Sequence, residues 1–93
     1  MSAQGTASVN FGAFPGATDA SVVVTGQAGI TAGSLVEAWI LPAATADHSA
    51  DEHWVEPPGV VAGAVVAGTG FTIYVTARNN RAYGLWNVAW VWN

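Results

Sequence analysis

Two runs of strand-forming residues decide the fold, GFTIYVTAR at 70–78 and RAYGLWNVAWVWN at 81–93. Apolar and polar residues largely alternate along both runs, and a period of two is typical of β-strands with one buried face. The Asn79-Asn80 pair between them suits a two-residue hairpin, because asparagine tolerates the left-handed backbone of a type I′ turn. The sequence therefore predicts a hairpin in which Ile73 lies opposite Trp86.

The two faces of this predicted hairpin differ in composition. The face that we expect to be core collects Phe71, Ile73, Val75, Trp86, Val88, Trp90 and Trp92. The other face is still half apolar, which is more than a solvated antiparallel face usually is. Residues 34–41, SLVEAWIL, repeat the pattern, since only Glu37 is charged. Strands that are apolar on both faces suggest a core on one side and a neighbouring subunit on the other.

The rest of the chain reads as short β-runs between turn-forming residues, without the three-to-four spacing of a helix. Strands are predicted at 6–12, 20–25, 34–41, 60–62 and 64–67, the last two hinged at Gly63, with short strands at 28–31 and 53–56. Residues 43–52 read as a polar loop with room for one helical turn. The predicted fold is all-β, a single antiparallel β-sandwich domain over residues 1–93. It has about seven or eight strands and jelly-roll or immunoglobulin-like topology. Residues 1–10 are a candidate extended N-terminal arm.

Charge is scarce in this chain of 93 residues, of which 9% are charged against about 25% in a typical domain. Lysine is absent, the net charge is −4, and Arg78 and Arg81 are the only basic side chains apart from histidine. This balance argues against a nucleic-acid partner. The absence of cysteine excludes disulfides and thiolate metal sites. Because β proteins usually protect edge strands with lysine, we expect partner chains or loops to cover the edges here.

Targeting signals are not evident. The first eleven residues carry neither a basic cluster nor an apolar segment, so they do not read as a signal peptide. The longest weakly polar run, at 59–68, is far shorter than the roughly 20 residues of a membrane-spanning helix. We therefore expect a protein made in the cytoplasm, with no membrane partner.

Four motifs resemble a group of small virion proteins of tailed bacteriophages: SLVEAW at 34–39, ADEH at 50–53, GTGFTIY at 68–74 and LWNVAWVW at 85–92. The resemblance runs from about Phe11 to Asn93. It implies a structural β-sandwich component of the virion, in the first place a capsid decoration (cement) protein. Such a protein forms homotrimers that bind the major capsid protein or another virion protein, and it is not an enzyme. A tail or fibre component is the nearest alternative.

The densest cluster of functional groups is the loop ADHSADEHWVE at 46–56. Clustered carboxylates and imidazoles can bind metals or transfer protons, but the spacing of His48 and His53 matches no HExxH or EF-hand pattern. A solvated loop or polar subunit contact is the favoured interpretation, so we expect no metal, cofactor or catalytic residue. An enzyme that uses both histidines remains an alternative, and it predicts that they converge in a cleft.

The tryptophans and arginines supply the partner-binding candidates. A carbohydrate-binding module would present a row of exposed tryptophans, whereas the stripe at 86–92 reads as core or interface. Trp54 lies among charges and is a candidate anchor into a partner pocket. Arg78 and Arg81 would face each other at the hairpin tip, where like charges are destabilising. They are either simply exposed to solvent there or paired with carboxylates of a neighbouring subunit, of the capsid or of the 47–56 loop. The predicted partner-binding residues are Trp54, Asp51, Glu52, Glu56, Arg78 and Arg81.

Overall fold

The structure is a computed structural model that describes residues 2–55, 57–78 and 81–93. These residues form six strands and one short helix. In chain order they are β1 (Ala3–Asn10), β2 (Asp19–Val24), β3 (Val36–Ile40), α1 (Glu52–Val55), β4 (Gly59–Val66), β5 (Gly70–Thr76) and β6 (Leu85–Trp92). The all-β prediction is thus confirmed, with six strands in the described part of the chain against about seven or eight expected.

The strands form two antiparallel sheets of three strands each. Sheet 1 has the order β1-β6-β3 and sheet 2 the order β2-β5-β4. Only β4 and β5 are both consecutive in the chain and paired, and a register shift between Gly63 and Val66 interrupts their ladder. At the sheet edges β1 lies against β2, and β3 lies against β4. The two central strands, β5 and β6, are therefore the ones that come late in the sequence.

One hydrophobic core contains side chains from both sheets. All seven residues predicted for the core face are buried, and none is more than 7% exposed. Phe71 of sheet 2 meets Trp90 of sheet 1 edge to face, with ring centroids 5.4 Å apart. Across sheet 1, Trp90 lies opposite Gly5, where an added Cβ would be 2.6 Å from the indole Cζ2. The indole therefore occupies the space that any larger residue at position 5 would need.

The predicted hairpin between residues 70–78 and 81–93 is wrong, because β5 and β6 belong to different sheets. Ala82, which precedes β6, bridges to Ala17 instead of to β5. Alternation assigned the core face correctly because that face points inward whichever strand is the partner. Each of β5 and β6 has an apolar face to bury, and the facing arrangement buries both against each other. The Asn79-Asn80 turn lies outside the described residues.

Four local predictions also need correction. Most of the candidate arm, residues 1–10, is strand β1, which pairs with β6 along its whole length. The short strand expected at 28–31 is absent: Ala28 and Gly29 form a turn, and Ile30 after it is buried. The strand expected at 53–56 is replaced by α1, and the two strands hinged at Gly63 are one interrupted strand.

No helix of the described residues is long and apolar enough to cross a membrane.

Candidate functional site

The candidate site forms where β3 leaves sheet 1 and the following loop takes its place beside β6. Leu41 still donates its backbone N–H to the Asn87 carbonyl, at 3.0 Å, but Pro42 follows and the strand ends. The chain then turns through residues 43–51 into α1. The backbone groups of Leu85 and the N–H of Asn87 consequently lack a paired strand on this side.

Side chains of the loop complete the interrupted ladder. The Leu85 N–H donates to Asp47 Oδ2 at 2.8 Å, and Thr45 Oγ1 donates to the Leu85 carbonyl at 2.9 Å. The Asn87 N–H donates to His53 Nε2 at 3.1 Å. Much of the polar character of this loop therefore has a structural use, because unpaired backbone groups at a strand are costly.

The position and protonation of His53 follow from these bonds. Its side chain is fully buried, and its Nδ1 lies 2.8 Å from the Ser49 carbonyl oxygen. A carbonyl only accepts, so Nδ1 carries the proton, and Nε2 accepts from the Asn87 N–H. His53 is thus a neutral ring with both nitrogens engaged, and it cannot offer a nitrogen to a ligand.

His48 is buried beside the same strand, with both nitrogens against acceptors. Its Nδ1 lies 2.8 Å from Glu52 Oε2, and its Nε2 lies 2.6 Å from the Tyr83 carbonyl oxygen. The doubly protonated ring satisfies both, since each nitrogen then donates. The imidazole also stacks on Trp86, with centroids 4.0 Å apart and planes 27° apart.

Glu52 joins the loop to α1. Its Oε1 accepts from the Ser49 backbone N–H at 3.0 Å, the return bond of a capping box. This bond, followed by the one from His48, holds the pKa of the Glu52 carboxyl below its usual value near 4.5. The sequence signal for this helix was present, because Ser49 and Glu52 have the S-x-x-E spacing that begins helices. It was missed in predicting a strand at 53–56.

A cleft of about 370 Å³ opens beside these residues. Both arginines of the chain line it, together with Asp51 and Glu52. The remaining lining is aromatic, imidazole or apolar: His48, Val55, Pro58, Ala77, Ala82, Tyr83 and Trp86. The structure thus brings four of the six predicted partner-binding residues to one place.

The other two predicted residues differ in outcome. Trp54 is 63% exposed but does not line the cleft. Glu56 lies outside the described residues. Tyr83 and His48 were not predicted as partner-binding residues, and only their aromatic and imidazole character could have marked them.

The arginines lie in the cleft without a carboxylate partner among the described residues, where the only acid–base pair within 4.0 Å is His48 with Glu52. Arg81 is held by a bond from Nη1 to the Gly16 carbonyl oxygen at 2.8 Å. A guanidinium group has more N–H donors than this one bond uses. The expectation that the arginines lie near the 47–56 loop is met, but direct pairing with it is not seen in these residues.

The two imidazole rings lie close together, with centroids 6.4 Å apart, but they do not meet in the cleft as the enzyme alternative requires. His48 lines the cleft, whereas His53 is fully buried and does not. The Ser49 hydroxyl lies 3.3 Å from Glu52 Oε1 and bonds to neither ring. No group of three or more histidine, aspartate and glutamate side chains is close enough to hold a metal in the described ranges.

Three tryptophans, Trp86, Trp90 and Trp92, are buried, whereas Trp39 and Trp54 are 44% and 63% exposed. A row of exposed tryptophans is therefore not formed.

Compared with protein-family models, curated proteins and solved structures, the chain matches none.

Proposed function

We propose that this chain is a structural subunit of a virus particle, a capsid decoration protein that acts as a homotrimer. The observation that carries the proposal is the outer surface of sheet 2, the face formed by Asp19, Ser21, Val23, Gly59, Val61, Gly63, Thr72, Tyr74 and Thr76. We call this surface the sheet-2 face. Its large side chains are apolar, and Asp19 at one end is its only charge.

The apolar side chains of the sheet-2 face are adjacent and exposed. Val61 and Ser21 flank Tyr74 in register, and Val23 lies in the next row opposite Thr72. Val61 is 65% exposed, Val23 63% and Tyr74 45%. Monomeric proteins seldom leave contiguous apolar patches uncovered. The sheet-2 face therefore suits burial against another copy of the chain.

Sheet 1 offers a contrast that sharpens this argument. The outward residues of β1 are Gln4, Thr6, Ser8 and Asn10, all polar and exposed. On the same outer surface β6 presents Leu85, Ala89 and Val91, and β3 presents Trp39, which is the most exposed of these at 44%. The β1 side of sheet 1 thus has the polar side chains of a solvated antiparallel sheet, whereas the exposed apolar side chains of the sheet-2 face suit a neighbour.

The area that a contact needs is a modest share of the surface of the chain. A stable interface buries about 800 Å² on each partner. The chain exposes 5180 Å² in total, so each contact would cover roughly a sixth of its surface. In a trimeric ring each subunit contacts two others. Because the three capsid-binding surfaces are then linked, binding of one raises the effective concentration of the other two at the capsid. The number three and the virion location rest on the resemblance to phage proteins.

The strand connections support jelly-roll over immunoglobulin-like topology for the proposed sandwich. In a jelly roll the first strand pairs with the last and the second with the last but one, while successive early strands alternate between sheets. Here β1 pairs with β6, β2 pairs with β5, and β1 to β4 alternate. Viral capsid proteins often use this fold, but lectins do also, so the fold alone does not assign function.

The first experiment measures mass in native buffer by analytical ultracentrifugation. We expect a trimer, and we expect Val61→Lys to reduce it to monomers because the charge must be desolvated in the contact. Thr6→Lys on the polar face of sheet 1 is the matched control and should leave the trimer intact. A wild-type monomer, or a trimer unaffected by Val61→Lys, contradicts the proposed assembly.

The second experiment tests the virion assignment. Purified protein should co-sediment with heads of the phage that encodes it, and images of the intact particle should show it on the capsid surface. A position on the tail or fibre would favour the alternative named above. Density for it in neither place contradicts a virion role.

A further inference from the structure

We infer that the cleft beside α1 is a receptor for one carboxylate group, presented next to an apolar side chain by a neighbouring protein. This inference rests on the proposed function, because it names the chemistry of the partner that the assembled subunit would contact. It depends on four features of the cleft: its cations, its acids, its apolar lining and its rigidity.

The cations come first. Arg78 and Arg81 are the only lysine or arginine residues of a chain with net charge −4, and both line this one cleft. Elsewhere the described surface repels an anion or is neutral to it. Guanidinium groups match the planar geometry of a carboxylate and can donate to both of its oxygens. An anionic ligand is therefore directed to this position.

The acids of the cleft limit the charge that this anion can carry. Asp51 and Glu52 line the same cleft, and the pKa of Glu52 is lowered, so its carboxylate stays ionised near neutral pH. A polyanion or a doubly charged phosphate would be repelled by these groups. A single carboxylate placed at the arginines suffers the least repulsion.

The apolar lining selects what carries the carboxylate. Val55, Pro58, Tyr83 and Trp86 line the cleft, and Val55 is 67% exposed. Phe14 packs edge to face on Tyr83, with ring centroids 5.4 Å apart, and is itself 78% exposed. The apolar surface thus continues beyond the cleft, which suits a protein segment better than a small molecule. Arginine with tyrosine and tryptophan is also the composition of interface hot spots.

The cleft is already ordered without a ligand. His48 is fixed between Glu52 and the Tyr83 carbonyl, and Trp86 donates its Nε1–H to the same carbonyl at 3.2 Å. Arg81 is anchored to the Gly16 carbonyl. A preorganised site loses less conformational entropy on binding, so weak contacts suffice for recognition.

The test uses ¹⁵N-labelled full-length protein and three probes: phenylacetate, its neutral isostere phenylacetamide, and inorganic phosphate. We expect phenylacetate to shift the Trp86 indole signal and the backbone signals of Arg78 and Arg81 in a saturable way. Phenylacetamide and phosphate should bind at least about tenfold more weakly, since each lacks one half of the recognised group. Equal binding of either probe, or shifts that lie elsewhere, overturns the inference.

Two variants are expected to change the affinity for phenylacetate in opposite directions. Arg78→Gln should weaken phenylacetate at least about tenfold, because one charge-assisted contact is lost. Asp51→Asn on the same cleft should bind phenylacetate as well as or better than the wild type, because it removes a like charge. If Asp51→Asn weakens binding as much as Arg78→Gln does, the inference is wrong. The amide spectrum of each variant verifies that it is folded.

The source of the carboxylate is read from the oligomeric state. If Arg78→Gln both loses the probe and dissociates the trimer, the carboxylate comes from a second copy, and phenylacetate should then also dissociate the wild-type trimer by competing for the cleft. If it loses the probe and the trimer persists, another virion protein supplies the group. Probe binding by a monomeric wild type would defeat the proposed assembly and leave the cleft assignment standing, so the two failures are distinguishable.

Discussion

Along the side of β6 that faces β3, the backbone is satisfied in two different ways. Near Asn93 the partner is backbone, since Asn93 and Leu35 exchange N–H···O bonds of 3.0 and 3.1 Å. Near Leu85 and Asn87 most of the partners are side chains of the loop. Backbone pairing tolerates almost any residue, whereas side-chain pairing requires a particular one. The end of β6 near Asn93 should therefore tolerate substitution of surface residues. The end near Leu85 and Asn87 should not, because there the substitution can remove a hydrogen-bond partner of the backbone.

The largest effect is expected from the core that both ends of β6 cover. Trp90→Ala should lower the free energy of unfolding by about 3–5 kcal/mol, because the cavity between the sheets cannot close fully. Urea unfolding followed by circular dichroism measures it. A folded variant of near-normal stability that only fails to assemble would move Trp90 from the core to an interface.

A smaller loss is expected where a side chain replaces the strand. His53→Leu keeps the volume but leaves the Asn87 N–H and the Ser49 carbonyl without partners, which should cost about 2–4 kcal/mol. Glu37→Ala on β3 is the matched control, because the ladder there uses backbone only. It should change stability by less than about 0.5 kcal/mol. Equal losses for both variants would remove the distinction between the two ends of β6.

The exposed end of the loop should show a weaker form of the same effect. Asp47→Ala removes the acceptor of the Leu85 N–H and should cost about 1 kcal/mol. Hydrogen exchange at the Leu85 amide should become faster. Asp51→Ala, an exposed acid in the same loop that caps nothing on β6, should leave this exchange rate unchanged. Protection of Leu85 that survives Asp47→Ala would show that another group pairs it.

The smallest effect concerns pH. The pKa of Glu52 is lowered in the folded chain, first by the Ser49 N–H and then by His48. Ionised Glu52 therefore stabilises the fold above its ordinary pKa near 4.5, and the contribution is lost as pH falls through the lowered folded value. Glu52→Gln should be less stable than wild type at neutral pH, and the difference should shrink in acid. A difference that is constant with pH contradicts this account.

The sequence predicted what depends on local pattern. The seven buried residues of β5 and β6 follow from alternation, since side chains of a strand point to opposite faces whatever its partner. The partner does not follow, because Ile73 opposite Trp86 in a hairpin and Ile73 facing sheet 1 across the core give the same pattern. Alternation alone therefore could not reveal that β5 and β6 belong to different sheets.

The candidate site was predictable in its residues more than in its geometry. Arg78 and Arg81 stand out in the sequence because basic residues are scarce. The 46–56 loop stands out because its acidic and histidine residues are densely clustered. The hydrogen bond from the Asn87 N–H to His53 could not be predicted. It depends on where β3 ends before Pro42, which leaves this N–H without a strand partner. The helix at Glu52–Val55 was within reach of the sequence, since the S-x-x-E spacing was there to be used.

The strand order also has a consequence for folding. Both edge strands of sheet 1 are made well before β6, which must lie between them. On the ribosome β1 and β3 therefore emerge without a partner in their own sheet and wait for residues made much later. Such distant pairing slows folding and leaves incomplete chains prone to aggregation, so we expect sheet 1 to form only once β6 has been made.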